Sequence, residues 1–291
     1  MREQYEWKQK DDAALMDAIV NALVIGLLIG VVVGLLGAGG GILSVPVLVY
    51  LLGQEAHNAA AGSLVIVGLT SIVSLVPRLR QGTIKWRDGI IFGLISVVGA
   101  LLGARISVLV PEVLLMIVFG ALLIVVAILM AERGVKDLRA ERKRGNTSGR
   151  NADEPAENLI GESASTRRGN TAIVLAATCI GLLTGFFGVG GGFAVVPMLV
   201  LVLGFTMKEA SATSLVVMVI SSLSGLIGRI GTDVQIDFHV VLPFAFASML
   251  GGLLGGMLTK RFRDAPLTLT FAALLAVVAA YVLSVNIAAL V

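Results

Sequence analysis

The sequence predicts an all-α, polytopic helical membrane protein made of two inverted structural repeats, with short or broken helices at two glycine-rich motifs. Three observations lead to this prediction. The chain of 291 residues is 57% hydrophobic, has a mean hydropathy of +0.96 and contains only 14% charged residues, whereas soluble domains average about 25%. Its continuous apolar runs reach roughly 20 residues, the length needed to cross a bilayer. Finally, the second half of the chain repeats the first.

Ten apolar runs follow one another along the chain, and each is expected to form a helix. They lie at 14–36, 42–53, 59–77, 88–110, 112–131, 171–187, 193–204, 210–228, 238–259 and 265–290. The predicted organisation is therefore a polar tail (1–13), a first membrane repeat (14–131), a hydrophilic linker (132–170) and a second membrane repeat (171–291). The linker is rich in charged residues, Gly, Asn and Ser, so we expect it to be helical at its start and otherwise unstructured.

The internal repeat has an offset of 151 residues. It superimposes GLLGAGGGILSVP (34–46) on GFFGVGGGFAVVP (185–197) and extends well beyond these motifs. After one inserted residue, GALLGA (99–104) aligns with GGLLGG (251–256). Agreement over such a length indicates a duplication, which is typical of secondary transporters.

The charges of the loops predict that the two halves are inverted. The segment RLRQGTIKWR (78–87), the linker and KRFR (260–263) are basic, and Lys and Arg are retained on the cytoplasmic side of a membrane. The segments that align with the first and last of these, 229–239 and 105–112, are not basic. Inversion requires an odd number of crossings per half, so the short runs should cross or nearly cross. Both termini should then lie outside, and the linker in the cytoplasm.

The triple glycines are the most unusual feature of the apolar runs. A glycine in a helix interior costs about 1 kcal/mol relative to alanine, so we expect the long helices to break there and short helices to begin within the membrane. Pro46 and Pro197 should fall in the first turn of these short helices. A helix N-terminus carries a partial positive charge and free N–H groups, which bind anions. Two such ends near the midplane would form a cradle for a small anion. The alternative is that the glycines only allow close helix packing.

The candidate substrate-binding groups are the N–H groups of the glycines and the hydroxyl groups of the helix that follows each short one. They belong to Gly39, Gly40, Gly41, Ser63, Gly190, Gly191, Gly192, Thr213 and Ser214. Secondary candidates are Ser44, Pro46, Pro197, Arg78 and Arg229. The two arginines are expected to anchor helix ends at the membrane interface, with attraction of an anion at the pathway mouths as the alternative. The hydroxyl groups have an alternative role too, as donors to their own helix.

Several classes of function are disfavoured by residues that the sequence lacks. No His lies beside a Ser within an apolar run and no Asp pair is placed there, so a membrane-embedded hydrolase is not expected. One Cys and two separated His residues do not make a metal site, and we expect no cofactor and no nucleic-acid partner. A transporter working by alternating access is the first hypothesis, and a passive anion channel is the alternative. The coupling ion, H⁺ or Na⁺, and the oligomeric state stay open.

The chain resembles the TauE/SafE sulfite exporter family. The twin motifs GAGGGxxxxP and GVGGGxxxxP carry the resemblance, together with the AAAGSLV (59–65) and ASATSLV (210–216) segments that follow them. RLRQGTIKWRDG and GALLGARI are also similar to that family. The resemblance implies a multi-pass transporter in the cell membrane of a prokaryote. It implies sulfite or organosulfonate-type anions as substrates, and a non-sulfur anion such as a carboxylate is the alternative. Gly62 stands where Thr213 stands in the second half, so the first half lacks one hydroxyl group.

Overall fold

The computed structural model describes residues 20, 22–37, 41–147 and 170–288, and this part of the chain is helical without a strand. We number its helices in chain order. They are α1 (Ala22–Leu36), α2 (Gly41–Tyr50), α3 (Ala56–Leu79), α4 (Trp86–Ser107), α5 (Glu112–Thr147), α6 (Asn170–Phe187), α7 (Gly192–Leu201), α8 (Met207–Gly228), α9 (Phe238–Leu258) and α10 (Asp264–Ala288). A single 3₁₀ turn, Thr259–Arg261, joins α9 to α10.

Six of these helices, α3 to α5 and α8 to α10, are long and apolar enough to cross a membrane. Four shorter apolar helices accompany them, namely α1, α2, α6 and α7. At 1.5 Å per residue, the ten residues of α2 or α7 rise about 15 Å, which is half of a hydrocarbon core of about 30 Å. The prediction of a polytopic helical membrane protein is confirmed.

The fifth helix is longer than its apolar run. The apolar run ends at residue 131, and α5 continues to Thr147 through the first part of the linker, which was expected to be helical at its start. Arg, Glu and Lys make up half of this extension, and all three are good helix formers, so the helix continues where the hydrophobic signal stops. The remainder of the linker, 148–169, lies outside the described residues, as does the predicted N-terminal tail.

Helix starts in the two halves keep the spacing of the sequence repeat. The starts of α2 and α7, and those of α3 and α8, are 151 residues apart, and the later pairs α4/α9 and α5/α10 are 152 apart. The one-residue difference falls between the end of α8 and the start of α9, where the sequence alignment places its inserted residue. Each half therefore carries the same series of helices.

Each half packs mainly against the other half, and the contacts recur when the halves are exchanged. The first helix, α1, lies parallel to α9, where a Cβ on Gly34 would be 2.2 Å from the Gly252 carbonyl oxygen. In the equivalent pair, α6 lies parallel to α4, and a Cβ on Gly185 would be 1.9 Å from the Ala100 carbonyl oxygen. Only glycine allows the backbones to approach so closely.

The equivalent helices α3 and α8 cross each other in antiparallel directions. At one end of the pair Arg78 Nη1 donates to Ser211 Oγ at 2.9 Å, and at the other end Leu64 lies against Gly225. The outer pair α5 and α10 is antiparallel as well, because Gly120 faces Leu283 while Gly134 faces Leu269. In both pairs, equivalent helices of the two halves thus contact each other in opposite directions.

We expect a substitution at a close crossing to destabilise the protein far more than the same substitution at an open glycine. In Gly185→Ala the new methyl group would overlap Ala100 and force α4 and α6 apart. Overpacking of this kind costs about 1–3 kcal/mol, or roughly 2–5 °C in Tm for a chain of this size. The measurement is thermal unfolding of the purified protein in detergent.

Gly68→Ala provides the matched control, since its nearest contact would be Ser222 Cβ at an ordinary 3.5 Å. Both substitutions gain the same helix propensity, so only the packing differs. Equal melting temperatures for the two variants would contradict the role assigned to the close crossing.

Candidate functional site

The helix breaks are set by glycines with left-handed backbone angles. In the second half, α6 ends at Phe187 and α7 begins at Gly192. Between them Gly188, Gly190 and Gly191 have φ of 67°, 66° and 76°, a region that glycine enters at little cost. In the first half α1 ends at Leu36 and is followed by Gly37 with φ 62°. The candidate residues Gly39 and Gly40 lie outside the described residues, and Gly41 is the first residue of α2.

The two breaks touch each other in the interior of the protein. A Cβ on Gly41 would be only 1.9 Å from the carbonyl oxygen of Val189, so the start of α2 packs directly on the loop before α7. The structure therefore brings Gly41 together with the segment that holds Gly190, Gly191 and Gly192. The site that these residues would form stays a prediction.

Pro46 and Pro197 are buried, but the expected position in the helix was wrong. Both short helices begin at the last glycine of the motif, so each proline is the sixth residue and lies in the second turn. Ser44, which precedes Pro46 on α2, is fully buried, and its hydroxyl oxygen has no hydrogen-bond partner among the described residues.

Ser63 and Ser214 connect each long helix to the break of the opposite half. Ser63 Oγ donates to the Gly188 carbonyl, and Ser214 Oγ donates to the Gly37 carbonyl at 2.7 Å. Both side chains are fully buried. These two bonds are equivalent under the repeat, and they satisfy carbonyl groups that a broken helix leaves exposed. Both hydroxyl hydrogens are thus directed to backbone oxygens, while a role toward a ligand stays a prediction.

Thr213 does not join Ser214 at the break. Its Oγ1 accepts a hydrogen bond at 3.1 Å from the backbone N–H of Lys85, in the loop before α4. Beside it, Lys85 Nζ and Glu209 Oε1 form an ion pair at 3.1 Å. Adjacent residues on a helix point about 100° apart, so the neighbouring hydroxyl groups of Thr213 and Ser214 serve different contacts.

Arg78 and Arg229 are buried inside the helix bundle, with 0% and 5% of their surface exposed. The expected anchoring of these side chains at the membrane interface is therefore wrong. Arg78 Nη2 donates at 2.8 Å to the Gly34 carbonyl near the end of α1, and Arg229 Nη2 donates at 3.1 Å to the Gly185 carbonyl near the end of α6. The free carbonyl groups of interrupted helices attract cations, which explains why the guanidinium groups turn inward.

Another pair of equivalent serines, which the sequence alone did not single out, includes one residue beside the second-half break. Ser222 is 2% exposed, and its Oγ has no hydrogen-bond partner among the described residues. A Cβ on Gly190 would be 3.1 Å from this oxygen. The equivalent residue, Ser71, is fully buried and contacts Met218 Sδ at 3.9 Å. The sequence repeat could have identified this pair, since positions 71 and 222 differ by the repeat offset of 151 residues and both are serine.

Backbone donors at the start of α7 complete this arrangement. No backbone carbonyl of the described residues accepts a hydrogen bond from the N–H groups of Gly190, Gly191, Gly192 or Phe193. Ser222 also lines a groove of about 230 Å³ between α3 and α8, which is otherwise apolar. Free N–H groups at a helix N-terminus, a buried hydroxyl group and adjacent space can together bind a small anion.

A polar cleft lies at one end of the bundle. It has a volume of about 470 Å³ and is lined by Gly53, Gln54, Glu55, Asn58, Gln235, Ile236 and Asp237. The repeat relates this end of the bundle to the end that holds the Lys85–Glu209 ion pair, since Asn58 and Asp237 are the counterparts of Glu209 and Lys85. In the described part of the chain, no three His, Cys, Asp or Glu side chains are grouped closely enough to hold a metal ion.

Comparison with known proteins agrees with the resemblance noted in the sequence. Residues 22–282 match the family described as Sulfite exporter TauE/SafE. A "Probable membrane transporter protein" of Xylella fastidiosa (strain 9a5c) is 30% identical over 229 residues, covering 78% of this chain and 80% of that protein. The "Probable membrane transporter protein YunE" of Bacillus subtilis (strain 168) is 28% identical over 231 residues, covering 77% and 81%.

A more distant relative comes from an archaeon. The "Probable membrane transporter protein MJ0441" of Methanocaldococcus jannaschii is 26% identical over 235 residues, covering 75% of this chain and 79% of that protein. No solved structure matches this chain. With a family match across both helical halves and six helices suited to crossing a membrane, the chain belongs to the TauE/SafE sulfite exporter family and is an integral, multi-pass membrane transporter.

Proposed function

We propose that this protein transports small anions, foremost sulfite or organosulfonate-type compounds, by alternating access at a site between the two helix breaks. One observation carries the proposal. Arg78 and Arg229 are buried in the described helices, and no Asp or Glu is buried there. An interior with positive charge and no compensating carboxylate attracts anions and repels cations.

The binding groups follow from the geometry of the second-half break. The N-terminal end of α7 offers its free N–H groups and the positive end of the helix dipole. Ser222 Oγ lies beside Gly190 and supplies a hydroxyl donor, and Ser71 is its counterpart in the first half. The oxygens of a sulfite or sulfonate group accept several such hydrogen bonds at once. The triple glycines, Ser63 and Ser214 complete the proposed site by shaping the breaks.

The description of the family supports a sulfur-containing substrate, while the named relatives are described only as membrane transporters. A carboxylate shares the negative charge and acceptor oxygens, so a non-sulfur anion is the second candidate. A passive anion channel would use the same donors. Transport is favoured over a channel because the two equivalent halves pack on each other, as alternating access requires.

We propose that the two halves lie inverted across the membrane. The antiparallel contacts of α3 with α8 and of α5 with α10 support this, because both members of each pair are long enough to span. The basic loops would then share the cytoplasmic side with the linker, and both termini would lie outside, in the cell membrane of a prokaryote. The polar cleft would open outward, while the Lys85–Glu209 ion pair would close the cytoplasmic end.

A panel of anions tests the substrate class. We expect the purified protein in proteoliposomes to show saturable uptake of sulfite, sulfoacetate or thiosulfate, with weaker uptake of acetate and none of zwitterionic taurine. Unitary currents in planar bilayers, measured in parallel, would instead indicate a channel. Selective uptake of acetate would establish the carboxylate alternative.

A matched pair of serines tests the proposed binding groups. Ser222→Ala should raise the KM for the transported anion about tenfold or more, since a hydrogen bond to a charged group contributes about 1.5–3 kcal/mol. Ser224→Ala is the control, because Ser224 Oγ donates within its own helix to the Ile220 carbonyl at 2.7 Å. Equal effects of the two substitutions on KM would remove Ser222 from the site.

Cysteine labelling tests the inverted arrangement. Arg87 and His239 are exposed, equivalent residues at the starts of α4 and α9. In a Cys179→Ser background, we expect His239→Cys to react with a membrane-impermeant maleimide in intact cells, and Arg87→Cys to react only after lysis. Labelling of both residues from one side would show that the halves are not inverted.

A further inference from the structure

We propose that the guanidinium groups of Arg78 and Arg229 take the place of coupling cations at the C-terminal ends of α1 and α6, so that transport does not require Na⁺ at these ends. This inference rests on the proposed anion transport, but its main test is a melting temperature and does not require uptake. At the ends of α1 and α6, helix carbonyl groups lie inside the protein.

Arg229 binds the first carbonyl group that α6 leaves free among the described residues, and Arg78 binds the equivalent carbonyl group of α1. At the end of α1 the Gly37 N–H donates to the Val33 carbonyl at 2.7 Å, and the next carbonyl, that of Gly34, accepts from Arg78. At the end of α6 the Gly188 N–H donates to the Thr184 carbonyl at 2.9 Å, and the next carbonyl accepts from Arg229. The same atoms are used in both halves, so the arrangement belongs to the repeat.

The C-terminal end of a helix carries roughly half a negative charge. In transporters built from broken helices, such ends and the unwound carbonyl groups beside them bind Na⁺. Here a cation is already present at both ends and is covalently attached to the chain. Among the described residues no carboxylate forms a salt bridge with either arginine. Neutral oxygens are therefore the partners of each guanidinium group, as they would be for a bound ion, and its positive charge is not neutralised.

A purely structural role does not explain the charge. Thr259 Oγ1 lies 3.3 Å from the Gly34 carbonyl oxygen and 3.2 Å from that of Leu35, so an uncharged hydroxyl group already reaches the end of α1. Burying an arginine without a carboxylate partner costs several kcal/mol. What Arg78 adds at this end is a positive charge, and that is what a coupling cation would add.

The test is the melting temperature of the purified protein in detergent, in NaCl and in choline chloride of equal ionic strength. We expect the wild-type Tm to be the same in both salts. Arg229→Ala and Arg78→Ala should melt lower in choline, and Na⁺ should raise their Tm by about 3 °C or more in a concentration-dependent way, because a cation that binds only the folded state stabilises it. Arg229→Lys, which keeps a cation in place, should show no Na⁺ dependence.

Arg105→Ala is the matched control, since Arg105 is exposed and its Nη2 donates to the Ile230 carbonyl at 3.3 Å. It should behave as wild type. A wild-type Tm that rises with Na⁺, or alanine variants that fold and ignore Na⁺, would overturn the inference.

If neither alanine variant folds, the test is the Na⁺ dependence of anion uptake by the wild type and by Arg229→Lys. Equal uptake with and without a Na⁺ gradient supports the inference, and stimulation by Na⁺ overturns it. Absence of uptake for every anion, together with the expected Tm pattern, would refute the proposed function and leave the inference standing.

Discussion

The whole architecture depends on supplying hydrogen-bond partners to backbone groups where helices stop inside the bundle. Lipid offers no donors or acceptors, so an interrupted helix is stable only if the protein provides them. Here the partners come from the bundle itself. Ser63 and Ser214 bond the glycine carbonyls of the opposite half, and Arg78 and Arg229 bond the carbonyls one turn earlier. Carbonyl groups on the C-terminal sides of both breaks thereby gain partners, while the N-terminal side of α7 keeps free donors.

The two sides of a helix break therefore carry opposite hydrogen-bonding groups, with acceptors on one side and donors on the other. Carbonyl oxygens face fixed hydroxyl and guanidinium groups, and free N–H groups face the space beside Ser222. The first set joins the halves, since each serine crosses from one half to the other. In the proposed function, the second set binds the anion. The contacts that join the halves and the proposed binding groups thus lie at the same breaks, which the duplication places twice in the chain.

The sequence was sufficient for the class of protein, the number of apolar helices and their approximate bounds, because hydropathy and length decide these directly. The repeat offset anticipated the equivalence of Ser63 with Ser214 and of Arg78 with Arg229. The sequence could not show that the arginines turn inward, since the free carbonyls that attract them exist only once α1 and α6 have ended nearby. A helical start of the linker was expected, but hydropathy could not give its length, because it does not distinguish a solvated helix from a loop.

Ser71 and Ser222 show a different limit. They were visible as a matched pair, but serine is common in membrane helices and the pattern alone does not say which serines face a break. The structure decides this through the packing of α7 and the loop before it on α8, which sets Ser222 beside Gly190. Prediction was most successful where a property is local and least successful where it depends on helices distant in sequence.

The parallel pairing of α1 with α9 has a consequence for biosynthesis. The two helices are joined by contacts such as that of Ser248 Oγ with the Gly26 carbonyl, which are 222 residues apart in the chain. At about 5–20 residues per second, a ribosome needs roughly 10–45 s to add that length. During this interval the first helix has been made, but its glycines have no α9 to pack against. Final assembly of the protein therefore waits for the end of translation, and neither half can mature alone.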